Sequence, residues 1–139
     1  MKDTLNIVPE EMGFDPKELN RIGRNDKAFT LRMLKLFLAA AKKCGKKIKS
    51  SVKTNNWKEL KATAHKNIPT YCVMGLNELA DFLKYIDQNA LNKDKHRSIQ
   101  QRIQEMNKKN TEAIDAVKRY IGLIRIENDT SPEAYSYGI

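Results

Sequence analysis

A long stripe of apolar side chains, recurring every three or four residues, most constrains the fold of this chain. It runs through Phe29, Met33, Leu36, Phe37, Ala40, Cys44, Ile48 and Val52. Steps of three and four place side chains on one face of an α-helix, so the stripe predicts one long amphipathic helix. Such a helix has to cover its apolar face against other helices, which favours a helical bundle.

Shorter stripes and punctuating residues predict the remaining helices. The segments are a short helix from Asp15-Pro16 to Gly23, the long helix capped by Asn25, a third from Trp57 to Gly75, a fourth from Leu76 through Ile86, and a last from His96 to Ile126. The predicted fold is all-α: an antiparallel four-helix bundle of up-down-up-down topology with a short N-terminal leader helix. We expect residues 1–14 to form a lead-in, 15–126 the bundle and 127–139 a C-terminal tail.

Positive charge is concentrated in one part of the chain. The net charge is +9, and no acidic residue occurs between Asp26 and Glu59, where lysines are frequent. The positive electrostatic potential of such a segment favours an acidic partner, whether nucleic acid, anionic membrane or acidic protein. A solvated lysine face that only keeps the protein in solution is the alternative.

Several classes of protein are disfavoured by the pattern. The longest apolar run, Leu36 to Ala41, is far shorter than the roughly 20 residues of a membrane-spanning helix. The start of the chain has no apolar core of the kind found in secretory signals. Cys44 and Cys72 form neither a metal-ligand spacing nor a disulfide framework. We therefore expect a cytoplasmic protein with reduced thiols, no metal, no membrane span and no cofactor of its own.

His65 lies on the flank of the third predicted helix. At ~100° per residue it falls about 100° from the centre of the apolar stripe, with Lys58 and Lys61 before it and Cys72 after it on the same flank. An imidazole with a free nitrogen is a competent phosphoryl acceptor near neutral pH. Pro69 cannot donate to the carbonyl of His65, so we expect the helix to bend or open there. An ordinary surface histidine is the alternative, and His96, in a polar connection, is given no role.

The residues around His65 resemble the histidine-containing phosphotransfer (HPt) family of two-component phosphorelays. The family motif has a small residue before the histidine, a small residue or proline four after it and a glycine ten after it. Ala64, Pro69 and Gly75 occupy these offsets, and a leucine-bearing helix comes next. The resemblance extends over residues 15 to 125.

The resemblance implies a phosphocarrier rather than an enzyme with its own substrate pocket. His65 would accept a phosphoryl group from a receiver-domain aspartate or a hybrid histidine kinase, and pass it to another receiver. Mg²⁺ would belong to the receiver, and the carrier would be a monomer that binds neither nucleic acid nor membrane. Partner docking is expected at Lys58, Ile68, Cys72, Lys42 and Lys46.

The chain departs from the family beside the histidine. The family usually has leucine two residues and lysine three residues after it, where this chain has Asn67 and Ile68. Lys61 and Lys66 are the candidates for supporting the phosphoryl group instead, with Lys61 preferred because it shares the flank of His65. Two alternatives stay open: an HPt-like scaffold that binds receivers without taking phosphate, and a basic helical nucleic-acid-binding protein. A generic helical adaptor is a third.

Overall fold

Every regular element in the described part of the chain is a helix. The structure, a computed structural model, describes residues 14–130, with side chains described for 14–125. The helices are α1 (Lys17–Ile22), α2 (Lys27–Lys53), α3 (Trp57–Val73), α4 (Asn77–Asn89) and α5 (Lys93–Thr130). No strand occurs within residues 14–130. The all-α prediction is therefore confirmed.

The helix boundaries correct several of the sequence-based expectations. Asp26, not Asn25, caps α2 by accepting from the amides of Ala28 (3.0 Å) and Phe29 (3.4 Å). Asn25 instead adopts a left-handed backbone with φ of 60°, which asparagine tolerates in a tight turn. At the other end, α5 begins at Lys93, earlier than predicted. It continues to Thr130, past the predicted end at 126.

The terminal segments are described only in part. Residues 1–13 of the predicted lead-in (1–14) and residues 131–139 of the predicted tail (127–139) lie outside the described residues. Phe14 is buried against the ring of Tyr120. None of the described helices is both long enough and apolar enough to span a membrane.

Each of the four longer helices packs mainly against two of the others around one apolar core. Helix α2 packs against α3 and α5, and α4 packs against α3 and α5. Large, fully buried side chains come from each of these helices and include Leu34, Phe37, Leu60, Tyr71, Leu83, Ile86 and Ile99. These contacts fix which face of each helix remains open to solvent.

Leu36 is not part of this core, contrary to the stripe drawn through it. Its side chain is 57% exposed. The buried apolar residues of α2 recur at steps of three and four and are Leu34, Phe37, Ala41, Cys44 and Ile48. Leu36 is one residue from Phe37 and so points about 100° away around the helix. The apolar stripe of the sequence is therefore wider than the buried face of the helix.

Gly75 forms the turn between α3 and α4. Its φ is +68°, a conformation that side chains with a Cβ rarely adopt. Its amide donates to the carbonyl of Cys72 (3.0 Å), and the amide of Leu76 donates to that of Tyr71 (3.1 Å). This pair of hydrogen bonds is the Schellman motif, which ends a helix and reverses the chain. Helix α3 continues through Pro69 to Val73, so it does not open at the proline.

Candidate functional site

His65 projects from α3 at the boundary with α4. The buried face of α3 is formed by Leu60, Thr63, Ala64 and Tyr71. His65 comes directly after the fully buried Ala64, and one residue further round the helix brings its side chain to the surface, where it is 77% exposed. The structure thus places His65 on the flank that periodicity predicts. Its ring is open to a partner and does not lie inside a cavity.

Asp87 of α4 contacts the imidazole of His65. The Oδ2 atom of Asp87 lies 2.8 Å from Nδ1 of His65. Its Oδ1 accepts a hydrogen bond from the Lys61 ammonium at 2.9 Å, and the same ammonium donates to the main-chain oxygen of Asp87. The hydrogen bond with His65, together with the weaker effect of that from Lys61, lowers the pKa of the Asp87 carboxyl. Asp87 is therefore ionised at neutral pH.

Asp87 was not predicted from the sequence as a partner of His65. Its position on the polar face of α4 looked like that of any solvated carboxylate, yet its side chain is only 20% exposed. A usable signal was present in the spacing. Gly75 reverses the chain, so residues at similar distances before and after it face one another on neighbouring helices. His65 is ten residues before Gly75, and Asp87 is twelve after it.

The two candidate phosphoryl-supporting lysines lie on opposite sides of α3. Lys61 binds Asp87 on the side facing α4. Lys66 lines a cleft of about 90 Å³ on the side facing α2, together with Lys43 and Lys47. The structure therefore brings Lys61 to the partner of His65, and it does not bring Lys66 there.

The predicted docking residues are distributed over several surfaces. Lys58 and Cys72 are exposed on α3, two turns before and two turns after His65, and Ile68 packs half-buried against the core. Lys42 and Lys46 are exposed on α2. They do not line the cleft between α2 and α3. The next residue in each case, Lys43 after Lys42 and Lys47 after Lys46, lines it instead. Lys42 and Lys46 are therefore turned from this cleft by about 100° of helical rotation.

An apolar groove continues from the basic cleft along α2 and α3. It has a volume of about 460 Å³, and its lining includes Met33, Leu36, Ala40, Pro69 and Val73. Ala40 lines both the groove and the cleft, so the two are contiguous. We call this combined surface the α2–α3 groove. Pro69, which lacks the N–H for a helical hydrogen bond in α3, forms part of the apolar wall of this groove.

His96 has a structural place at the other end of α3. Its ring stacks on Trp57, with centroids 3.6 Å apart and an angle of 10° between the planes. Its Nε2 donates to the carbonyl of Ala90 at 2.6 Å. His96 thereby ties the start of α5 to the start of α3. Its ring is engaged within the fold, unlike the largely exposed ring of His65.

Neither the described side chains nor the comparisons with known proteins assign a chemistry to this chain. Among residues 14–125, no group of three or more His, Cys, Asp or Glu side chains is placed to hold a metal ion. A scan against family models, a search of curated proteins and a search of solved structures each found no match to this chain. Its function therefore has to be inferred from the chemistry of the described residues and from the motif around His65.

Proposed function

We propose that this chain is a phosphocarrier of a two-component phosphorelay, in which His65 accepts a phosphoryl group from a receiver-domain aspartate and passes it to another receiver. The observation that carries the proposal is the imidazole of His65, 77% exposed at the α3–α4 boundary within the Ala64, Pro69 and Gly75 motif. An accessible nucleophile at a fixed position is what transfer between two proteins requires.

The proposal includes the arrangement of the helices. We infer that α2 to α5 form the antiparallel up-down-up-down bundle of the HPt family, with α1 as its leader helix. The packing of both α2 and α4 against α3 and α5, together with the chain reversal at Gly75, supports this arrangement. A bundle of this kind presents side chains on its outer face without a substrate pocket, which suits a carrier.

The chemistry divides between the two proteins. The receiver supplies the aspartyl phosphate, its Mg²⁺ and the acidic pocket, while this chain supplies the nucleophile in line with the phosphorus. Hybrid histidine kinases would charge the carrier through their own receiver domains. We place the exchange in the cytoplasm, with the carrier as a monomer.

The α2–α3 groove and the acid-free stretch suit a receiver as the docking partner. Lys43, Lys47 and Lys66 line the basic end, and no acidic residue occurs between Asp26 and Glu59. Positive potential speeds the association with an acidic protein surface. The apolar end of the groove, with Leu36 exposed, offers surface that a partner would bury.

Transfer of labelled phosphate tests the proposal. A receiver charged with a small phosphodonor and Mg²⁺ is mixed with the wild type, with His65→Gln and with His96→Gln. We expect acid-labile, base-stable label on the wild type and on His96→Gln, and none on His65→Gln. The His96 variant is a matched control because it removes the other histidine of the chain. Label that persists in His65→Gln contradicts the proposal.

A receiver-binding scaffold that takes no phosphate is the second candidate. Two observations favour it: Ile68 stands where the family usually has lysine, and Lys61 is engaged by Asp87. The same experiment separates the two functions. Receiver binding measured by calorimetry, with no label transferred from any charged receiver, supports the scaffold.

A further inference from the structure

Three lysines converge on the small cleft between α2 and α3. Lys43 and Lys47 line it from α2, and Lys66 lines it from α3. None of the three forms a salt bridge with a carboxylate of residues 14–125. Lys43 and Lys47 are four residues apart on one helix, so their like charges also repel each other. The cleft therefore concentrates positive charge without a counter-charge from the described side chains.

The remainder of the cleft wall is uncharged. The described residues that complete it are small or neutral, and they are Ala40, Cys44, Thr63 and Asn67. Glu59, one turn before Thr63 on the same helix, does not line the cleft, and its carboxylate accepts from the Asn56 side chain at 3.0 Å. An anion in the cleft would therefore meet no carboxylate in the part of the wall that residues 14–125 form.

The hydroxyl of Thr63 is an unused hydrogen-bonding group in this wall. Thr63 is more than nine-tenths buried, with 7% of its surface exposed. Its main-chain oxygen accepts from the Asn67 side chain at 2.8 Å, whereas its hydroxyl makes no hydrogen bond with any of residues 14–125. The hydroxyls of Thr54 and Thr111, by contrast, donate to main-chain oxygens four residues earlier. Because a largely buried hydroxyl is normally paired, that of Thr63 points to a ligand in the cleft.

We propose that this cleft is a binding site for a phosphate dianion, either inorganic phosphate or the phosphoryl group of a small phosphomonoester. Lys43, Lys47 and Lys66 balance its charge, and the Thr63 hydroxyl donates to one of its oxygens. A phosphate group carries a charge of about −1.5 to −2 near neutral pH and has three strong acceptor oxygens, so it suits several ammonium donors better than a single carboxylate does. The volume of about 90 Å³ is several times what one water molecule needs, which leaves room for a tetrahedral anion.

The cleft opens at Ala40 into the apolar part of the α2–α3 groove. The organic part of a phosphomonoester could contact Leu36, Pro69 and Val73 there, whereas inorganic phosphate would leave this apolar surface uncovered. A receiver docked in the groove would use the same lysines, since its acidic surface is attracted by the same charge. The phosphate site is nevertheless independent of the proposed transfer, because neither His65 nor a receiver takes part in it.

Titration of the whole chain with inorganic phosphate and with phenyl phosphate, at constant pH and ionic strength, tests the site. In ¹H–¹⁵N amide spectra we expect saturable shifts centred on residues 43–47 and 63–67. Tighter binding of phenyl phosphate would identify a phosphomonoester as the ligand, and tighter binding of inorganic phosphate would identify the free ion. The absence of saturable shifts with both probes overturns the proposal.

Matched lysine variants show whether the cleft itself holds the anion. Lys43→Met and Lys47→Met should each weaken phosphate binding by about tenfold, as expected for the loss of one hydrogen bond to a charged group. Lys42→Met and Lys46→Met remove the same charge from the same helix outside the cleft, and screening should keep their affinity within about twofold of the wild type. Equal weakening by both pairs would mean that net charge alone attracts phosphate, and would overturn the site.

Thr63→Val separates a formed site from a group of surface lysines. Valine keeps the branched shape of threonine and removes the hydroxyl, so we expect about tenfold weaker phosphate binding at unchanged net charge. Thr111→Val, on the exposed side of α5, is the control and should bind phosphate like the wild type. Wild-type affinity in a folded Thr63→Val overturns the proposal. If that variant does not fold, the matched lysine variants decide.

Discussion

The hydroxyl of Tyr71 donates a hydrogen bond to Oδ1 of Asn110, 2.5 Å away inside the core between α3 and α5. The amide of Asn110 in turn donates to the main-chain oxygen of Ala41 on α2, at 3.1 Å. Three helices are thus joined by two hydrogen bonds through one buried side chain. Since buried polar groups are costly when unpaired, this junction also specifies how the helices fit together.

Replacement of Asn110 by alanine should therefore destabilise the protein. It removes the oxygen of Asn110 that accepts from the Tyr71 hydroxyl in the core, at a cost of about 2–3 kcal/mol in the free energy of unfolding. Urea titration measures the change. Lys108→Ala, an exposed change two residues earlier, should stay within about 0.5 kcal/mol of the wild type. Equal stability of Asn110→Ala and Lys108→Ala would show that the junction contributes little.

Gly75→Ala and Gly122→Ala should have opposite effects on stability. A Cβ at Gly75 would lie 2.7 Å from the main-chain oxygen of Asp15, on a backbone with φ of +68°. We expect a loss of at least about 1–2 kcal/mol from the left-handed conformation alone. A Cβ at Gly122 meets no atom within 4 Å beyond its chain neighbours and the backbone of its own helix. There, inside α5, alanine should stabilise by about 0.5–1 kcal/mol. If both substitutions raised the melting temperature, or both lowered it, this account would be contradicted.

The two cysteines should differ sharply in reactivity. Burial raises the pKa of the Cys44 thiol to about 11, an effect that the hydrogen bond with Tyr71 only partly offsets. Cys72 is exposed. Because the thiolate is the reactive form, we expect one fast-alkylating thiol per folded chain at pH 8 and two in urea, counted by mass spectrometry. In Cys72→Ser the fast reaction should disappear. Fast alkylation of Cys44 in that variant would mean that the core opens readily.

The Asp87 carboxylate should make stability depend on acid pH. Its pKa is lowered in the folded protein, so the ionised form stabilises the fold above the ordinary aspartate pKa of about 4. That contribution is lost as the pH falls through the lowered value. In urea titrations, Asp87→Asn should hence have a lower free energy of unfolding than the wild type at pH 7. This difference should shrink towards pH 3. Asp81→Asn serves as the control. A loss of unfolding free energy in Asp87→Asn that does not change with pH would rule out ionisation of Asp87 as its cause.

The sequence was sufficient for the helices and for the position of His65, because both depend on periodicity along a single helix. Gly75 was also identified, since a glycine after an apolar stripe is a strong signal for a helix end. The exposure of Leu36 could not be predicted in this way. Which side of α2 is covered depends on where the neighbouring helices lie. Where the apolar stripe of α2 is wider than its contact with those helices, residues at the edge of the stripe remain in solvent.

The network around His65 was the part that periodicity along a single helix could not reveal. Asp87 reaches it from another helix, and its charge gave no sign of a special role because carboxylates are common on exposed faces. Lys61 was placed on the correct flank, but its partner was not foreseen. Whether Lys42 or Lys43, and Lys46 or Lys47, lines the cleft likewise depends on the position of α3 beside α2. Contacts between helices therefore determined each of these outcomes.

The connection Met74-Gly75-Leu76 also sets the rotational phase of α4 relative to α3. Each residue added to or removed from an α-helix or its connection turns the next part of the helix by about 100°. One inserted residue there would carry Asp87 away from Nδ1 of His65 even though neither side chain had changed. The length of this turn is thus a determinant of the chemistry on His65, and a change in loop length alone would serve to disconnect the histidine from its carboxylate.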